Sequence, residues 1–172
     1  MTDVDPAEAL AARCLDRLRS AGSTLATAES LTAGLVCATL AAVPGASDVL
    51  RGGLVAYTSD VKTAVLGVDP SVVATYGVVS GECAGAMARR AVSLFGSTWA
   101  VSTTGVAGPD RQEDKPVGTV FVAVAGPGVD RVRPLALHGG RPQIRAATVV
   151  EALTMLAAAL ASRSPGGGGR GG

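Results

Sequence analysis

The sequence predicts an α/β protein: a single-domain three-layer α/β/α sandwich built around a mixed, mostly parallel sheet. Segments with helical periodicity alternate along the chain with short apolar strands, an order typical of helices that cover both faces of a sheet. Two predicted strands, residues 99–103 and 119–125, are runs rich in apolar and β-branched residues, as expected for strands buried on both faces. The turn at residues 126–128 (Gly-Pro-Gly) predicts one antiparallel pair, so the sheet is mixed.

The individual elements follow from local signals in chain order. Asp5, Pro6 and Glu8 begin a first helix that ends before Gly22. Pro134 places its strand at an edge of the sheet, because proline has no N–H to donate to a central ladder. The remaining predicted strands are residues 25–28, 53–57 and 131–137, and the remaining predicted helices are residues 30–43, 60–66, 80–96 and 142–160.

Length and composition limit the class of protein. The chain has 172 residues, a formal net charge of +1 and 48% apolar residues, which suits one globular domain. We expect residues 1–163 to form this domain and residues 164–172, which are rich in glycine, to form a disordered tail. Near-neutral charge argues against nucleic-acid binding. The acidic N-terminus is unlike a signal peptide, and no window of about 18 apolar residues is free of glycine, proline and charge, so we expect a cytoplasmic protein.

The three cysteines, Cys14, Cys37 and Cys83, are widely spaced and include no CxxC pair. We interpret them as buried thiols in a reducing compartment and expect no metal site.

The first candidate functional segment is residues 27–34, TAESLTAG, where a strand passes into a helix. Ser30 stands at this junction, and a hydroxyl there faces backbone N–H groups that can stabilise a developing oxyanion. The alternative is that Ser30 only caps the helix.

The second segment is residues 57–62, YTSDVK, which links a strand to a short helix. Helical side chains lean toward the start of their helix, so Lys62 is expected to point toward the same sheet edge as Ser30. Burial favours the neutral amine, which can act as the base for a serine. The alternative is a solvated surface lysine.

Two further segments lie at strand ends. Thr104, Gly105 and Gly108 belong to a loop in which glycine allows the backbone to approach a ligand closely, or to an ordinary strand-exit turn. Arg141 and Arg145 share one face at the start of the last helix, where two guanidinium groups are either a phosphate clamp or two solvated side chains.

Four segments together resemble the CinA C-terminal-domain family, whose enzymatic members are nicotinamide-nucleotide amidohydrolases. They are TAESLTAG at 27–34, YTSDVKTAVLGV at 57–68, TGVAGPDRQEDKPVGTV at 104–120 and HGGRPQIR at 138–145. The resemblance covers about residues 6–160. It implies a hydrolase that converts nicotinamide mononucleotide to nicotinate mononucleotide and ammonia, a step in pyridine-nucleotide salvage, without a metal or other cofactor.

The resemblance also implies roles for individual residues. Ser30 matches the nucleophile, Lys62 the general base and Tyr57 a tyrosine that supports them. Substrate contacts are implied for seven residues: Glu29, Thr32, Thr104, Gly105, Gly108, Arg141 and Arg145. Family members commonly form homodimers, so we expect one here. Many relatives carry an additional N-terminal domain, and the helix start at Asp5 predicts a stand-alone form.

The sequence departs from the family pattern at four positions. Ala33 stands where many members have glycine and Ser59 where many have asparagine. Arg111 lies in a slightly shortened loop, and Gly140 replaces a frequent aspartate. These departures concern substrate preference and rate, and they keep open the alternative that the chain is a non-catalytic mononucleotide-binding module. A second alternative is an amidase for another small carboxamide.

Overall fold

The computed structural model describes residues 5–162. A five-stranded sheet lies at the centre, with the strand order β2-β1-β3-β4-β5. The strands are β1 (Leu25–Glu29), β2 (Leu50–Val55), β3 (Trp99–Gly105), β4 (Thr119–Gly126) and β5 (Val129–Ala136). The predicted tail, residues 164–172, lies outside the described residues.

Six α-helices flank the sheet within the described part of the chain: α1 (Pro6–Ser20), α2 (Leu35–Ala41), α3 (Ser59–Ala64), α4 (Pro70–Tyr76), α5 (Gly81–Phe95) and α6 (Arg141–Ala161). One core forms where α1, α2 and α6 pack on one face, around Leu25 and Val101, and a second forms where α5 covers the other face. The three-layer α/β/α fold predicted from the sequence is therefore confirmed.

The strand directions explain why the candidate segments meet. β1 is parallel to β2 and β3, whereas β4 is antiparallel to both β3 and β5. Consequently four strands run in one direction and only β4 runs against them. The segments that follow β1, β2, β3 and β5 all lie at the same edge of the sheet. The sheet has two antiparallel pairs, one more than the turn at residues 126–128 predicts, because β4 opposes both of its neighbours.

The two faces of the sheet carry side chains of different size. Toward α5 the strands present small residues, Ala26, Ala28 and Ala100, and α5 itself presents Ala84 and other small side chains. Small side chains on both surfaces allow the helix to lie close to the sheet. β5 is the edge strand that Pro134 predicts.

The helix predicted from residue 30 starts later than expected. Residues 31–34 form a turn in which the backbone φ angles of Ala33 and Gly34 are +49° and +92°, so α2 begins only at Leu35. A positive φ interrupts the right-handed helical path. Helix α4 was not among the predicted elements; Asp69 caps it by accepting a hydrogen bond from the Ser71 N–H at 2.8 Å.

The last helix is the longest apolar segment described. α6 is long and apolar enough to cross a membrane by length and composition, with a mean hydropathy of 1.6 over its most apolar window. Half of that window is buried inside the domain, where Ile144, Leu153 and Leu156 are fully buried. This packing is typical of the core helix of a soluble domain.

Candidate active site

Lys62 and Ser30 meet at the edge of the sheet where the parallel strands end. The amino group of Lys62 lies 3.0 Å from Ser30 Oγ. Ser30 follows β1, and its N–H donates to the Thr103 carbonyl at 2.9 Å, which ties it to β3. Lys62 lies in α3, and its side chain leans back toward the end of β2. The structure thus brings together the two residues on which the sequence analysis depends.

Lys62 is buried, with an exposed fraction of only 1%. Its amino group contacts two more oxygens, the carbonyls of Ala56 at 2.8 Å and Tyr57 at 3.3 Å. Among the described residues no ion pair includes Lys62. Burial therefore lowers the pKa of the Lys62 amine, although the nearby Cys83 and the Glu113 carboxylate oppose that shift.

This arrangement suits an amine that moves between its two protonation states. A neutral amine has two N–H bonds and one lone pair. The two N–H bonds can go to the carbonyls of Ala56 and Tyr57, which leaves the lone pair for the hydroxyl hydrogen of Ser30. An ammonium group has three N–H bonds, and all three oxygens then accept one.

Glu29 is buried and binds the start of α2 instead of lining a pocket. Its carboxylate accepts hydrogen bonds from the N–H groups of Gly34, Val36 and Cys37 at 2.8–3.0 Å and from the Thr27 hydroxyl at 3.2 Å. Only 1% of Glu29 is exposed. The carboxylate therefore accepts from N–H groups at a helix N-terminus that have no partner within the helix, and the substrate contact expected for Glu29 stays a prediction.

The sequence predicts that the N–H groups at the start of the helix after Ser30 stabilise the oxyanion, but these groups are already bonded. Helix α2 begins only at Leu35, and the Val36 and Cys37 N–H groups of its first turn donate to Glu29. The N–H groups of Leu31 and Thr32, by contrast, have no acceptor within residues 5–162. These two donors follow Ser30 immediately in the chain.

The side chains of Thr32 and Thr104 are buried and hydrogen-bonded within the domain. The Thr32 hydroxyl lies 2.7 Å from the Thr103 hydroxyl, and the Thr104 hydroxyl donates to the Val78 carbonyl at 2.7 Å. Both threonines have exposed fractions of 1% or less. Their hydroxyl groups link neighbouring segments of the chain, and the substrate contacts expected for these two residues stay predictions.

Tyr57 contributes to the site in two separate ways. Its backbone carbonyl accepts from Lys62, whereas its side chain is half exposed. The Tyr57 hydroxyl accepts a hydrogen bond from Arg141, which also donates to the Gly108 carbonyl at 2.8 Å. The Tyr57 ring thus belongs to the rim of the site, and only its backbone touches Lys62.

The two arginines of α6 lie in different surroundings. Arg141 is exposed at the rim, where it contacts the Gly108 carbonyl. Gly105, the last residue of β3, is partly buried, as is Gly108. Arg145 is partly buried, and it donates to the Leu31 carbonyl at 3.0 Å and to the Thr32 carbonyl at 2.9 Å. The predicted pair therefore has one member at the surface and one attached to the turn that follows Ser30.

Glu113, whose carboxylate affects the pKa of Lys62, was not among the predicted site residues. Glu113 accepts from the N–H groups of Val78 and Val79 at 2.8 and 3.0 Å. This joins the loop after β3 to the segment before α5. No local pattern indicates the contact, because Glu113 lies in a polar loop and its partners are backbone groups of a distant segment.

Cys14 and the surface cavities lie outside this arrangement, whereas Cys83 is near enough to Lys62 to affect its pKa. Burial raises the pKa of the Cys83 and Cys14 thiols to about 11 each, so both stay protonated at neutral pH. Two surface cavities of about 580 and 810 Å³ lie around α5 and β5, and neither is lined by Ser30 or Lys62. No group of three His, Cys, Asp or Glu side chains within residues 5–162 is arranged to hold a metal.

Fold and site together define an α/β domain that pairs a serine at the end of a central strand with a buried lysine. Residues 7–160 match the model of the CinA C-terminal domain, and the chain belongs to that family. It is 49% identical to a CinA-like protein of Frankia casuarinae over 139 residues, which are 81% of this chain and 32% of that protein. It is 44% identical over 151 residues to a CinA-like protein of Myxococcus xanthus, covering 87% and 36% of the two chains. The chain thus spans about a third of the length of these relatives.

Solved structures share the fold over nearly their whole length. A CinA superfamily protein from Klebsiella pneumoniae superposes with a TM-score of 0.88 at 30% identity, covering 91% of this chain and 99% of that one. The competence/damage inducible protein CihA from Agrobacterium tumefaciens gives a TM-score of 0.87 at 37% identity, covering 92% and 97%.

Proposed function

We propose that this domain hydrolyses the carboxamide of nicotinamide mononucleotide, releasing nicotinate mononucleotide and ammonia. The observation that carries the proposal is the 3.0 Å contact between the Lys62 amine and the Ser30 hydroxyl. An amide is a weak electrophile with a poor leaving group, so its hydrolysis needs an activated nucleophile, oxyanion donors and a proton for the departing nitrogen.

In the proposed first half-reaction, Ser30 Oγ attacks the carboxamide carbon while the Lys62 amine takes the hydroxyl proton. The carbonyl oxygen becomes an oxyanion, and the N–H groups of Leu31 and Thr32 are the nearest donors along the chain that lack an acceptor. When the tetrahedral intermediate collapses, Lys62 returns its proton to the leaving nitrogen and ammonia departs. Ser30 is left as an ester of the nicotinate group.

In the second half-reaction, Lys62 takes a proton from a water molecule, whose oxygen attacks the ester carbon. Collapse of this intermediate breaks the bond to Ser30 Oγ, and Lys62 gives the proton back to the serine. The acceptors around Lys62, the carbonyls of Ala56 and Tyr57, stabilise the ammonium form at both intermediates.

The phosphate of the substrate is assigned to Arg141 at the rim. Arg141 is exposed, lies at the start of the 21-residue helix α6 and is held by Tyr57 and Gly108. A guanidinium group and the positive end of a helix dipole both favour an anion. This contact anchors the nucleotide while the carboxamide reaches Ser30.

Ammonia release from nicotinamide mononucleotide tests the proposal, with wild type measured beside Ser30→Ala and Lys62→Ala. We expect turnover in wild type and a loss of at least about 1,000-fold in either variant. Binding of the mononucleotide without turnover in wild type would support the non-catalytic binding module instead. Equal rates with nicotinamide riboside would favour an amidase for other small carboxamides, since the riboside lacks the phosphate.

The proposal includes a cytoplasmic location and a homodimer, both implied by the family resemblance. It includes no cofactor, nucleic acid or membrane as a partner. Sedimentation velocity of the purified chain tests the dimer, which predicts a species of twice the 16.9 kDa chain mass.

A further inference from the structure

Arg145 is joined to the turn that follows Ser30 by two hydrogen bonds to backbone oxygens. Its Nε donates to the Leu31 carbonyl and its Nη2 to the Thr32 carbonyl. The side chain is partly buried, and within residues 5–162 it takes part in no ion pair. The guanidinium charge is therefore directed at two peptide groups and not at a carboxylate.

These carbonyls belong to peptide groups whose N–H groups, those of Thr32 and Ala33, follow Ser30 by two and three positions in the chain. The Leu31 carbonyl and the Thr32 N–H are the two ends of one peptide group. A charged donor at the carbonyl end polarises the whole group and strengthens its N–H as a donor. The N–H of Thr32 has no acceptor within the described residues.

The next peptide group fixes the shape of the turn. The Thr32 carbonyl accepts from Arg145, while the Ala33 N–H donates to the Ser30 carbonyl at 3.0 Å. Thr32 is further fixed by the contact of its hydroxyl with Thr103. The turn is thus held from α6 on one side and from β3 on the other.

We infer that Arg145 is a positioning residue for the oxyanion site: it holds and polarises the Leu31–Thr32 peptide so that its N–H stabilises the negative charge that forms when Ser30 attacks. This inference rests on the proposed amidase function. It separates the two arginines of α6, since Arg141 binds the substrate phosphate and Arg145 acts on the reacting carbonyl through the backbone.

Kinetics with two substrates distinguish the two roles. Arg145→Ala should lower kcat by about 100-fold or more, as expected for loss of an oxyanion donor, with KM changed less than about threefold. The loss should be equal for nicotinamide mononucleotide and nicotinamide riboside, because the carbonyl chemistry is the same. Arg141→Ala, the matched control on the same helix, should raise KM for the mononucleotide alone.

A loss confined to the mononucleotide, or a raised KM with unchanged kcat, would overturn the inference and make Arg145 a phosphate ligand. Chemical rescue tests whether the loss of kcat in Arg145→Ala comes from the missing guanidinium group or from a disturbed fold. Added guanidinium chloride at non-denaturing concentration should restore part of the kcat of Arg145→Ala, whereas Arg145→Lys should keep an intermediate kcat. If guanidinium restores nothing and Arg145→Lys is as inactive as Arg145→Ala, the positioning role is overturned.

A fluorophosphonate probe separates failure of this inference from failure of the proposed function. Phosphonylation of Ser30 uses the same oxyanion donors but no nucleotide. If wild type releases no ammonia yet labels at Ser30, only the substrate assignment fails, and Arg145→Ala should label about 100-fold more slowly than wild type. Equal labelling rates in wild type and Arg145→Ala would overturn the role of Arg145 alone. A wild type that neither releases ammonia nor labels would overturn the proposed function, and the role of Arg145 with it; Ser30→Ala is the blank.

Discussion

The Lys62 amine lies 3.0 Å from the Ser30 hydroxyl, although the two residues are 32 positions apart in the chain. The contact depends on two parallel strands, because Ser30 follows β1 and Lys62 lies just beyond β2. Burial lowers the pKa of the Lys62 amine and so favours the neutral form, which can accept a proton from Ser30. The predictions below test this contact, the rim beside it and the turn that supports it.

The activity should depend on pH through Lys62. Its pKa is lowered by burial from the ordinary value of 10.5. Below that lowered pKa the amine carries a proton and cannot accept one from Ser30, so kcat/KM should fall as pH decreases and should rise to a plateau above it. The midpoint of the rise should lie below 10.5. Lys62→Arg should be inactive throughout, because arginine stays protonated. A wild-type profile that is flat from about pH 5 to 10 would contradict Lys62 as the base.

The rim contact should affect binding more than turnover. Arg141→Ala should raise KM for nicotinamide mononucleotide by about 10-fold or more, with a smaller change in kcat, if the arginine contacts the phosphate equally in the ground and transition states. Tyr57→Phe removes the hydroxyl that accepts from Arg141 and should raise KM in the same direction by a smaller factor. Steady-state kinetics with both substrates measure this, and an unchanged KM in Arg141→Ala would place the phosphate elsewhere.

The buried Glu29 carboxylate should be important for stability. In Glu29→Gln one acceptor oxygen becomes an NH₂ group that faces backbone donors of the α2 N-terminus. An unsatisfied buried donor costs about 1–3 kcal/mol, so the free energy of unfolding should fall by about 3 kcal/mol. Urea unfolding measures the change. The control is Glu82→Gln, an exposed first-turn glutamate of α5, which should change stability by less than about 0.5 kcal/mol.

Ala33 should be a position where glycine is preferred. Its φ angle is +49°, and a left-handed backbone costs a residue with a Cβ about 1–2 kcal/mol. Ala33→Gly should therefore raise the free energy of unfolding by about 1 kcal/mol. Ala38→Gly, in the exposed middle of α2, should lower it by a similar amount. Destabilisation by both substitutions would contradict the strained turn.

The departure at Ala33 shows how family pattern and geometry complement each other. The family resemblance marks the position because the pattern that it implies has glycine there. The structure supplies the physical reason, which is the positive φ angle in the turn between Ser30 and α2. The departure therefore has a conformational cost and leaves the Ser30–Lys62 contact in place.

The sequence by itself determined the layered α/β class, the position of β5 at the edge and the identity of Ser30 and Lys62 as candidates. These conclusions follow from local signals: hydrophobic periodicity, a proline within a strand, and polar residues at strand ends. Local patterns have physical causes within a few residues, so they are readable without coordinates.

Only the tertiary structure decided which polar groups are occupied and which remain available. Glu29, Thr32 and Thr104 looked like site residues, yet all three side chains are engaged inside the domain. The Glu29 and Thr104 side chains bind backbone groups, and the Thr32 hydroxyl contacts the Thr103 hydroxyl. Glu113 gave no signal at all. Arg145 was paired with Arg141 by helical spacing, but packing of α6 directs it to the Leu31–Thr32 turn. Hydrogen-bond partners that are distant in sequence depend on how strands and helices are packed, and no local pattern carries that information.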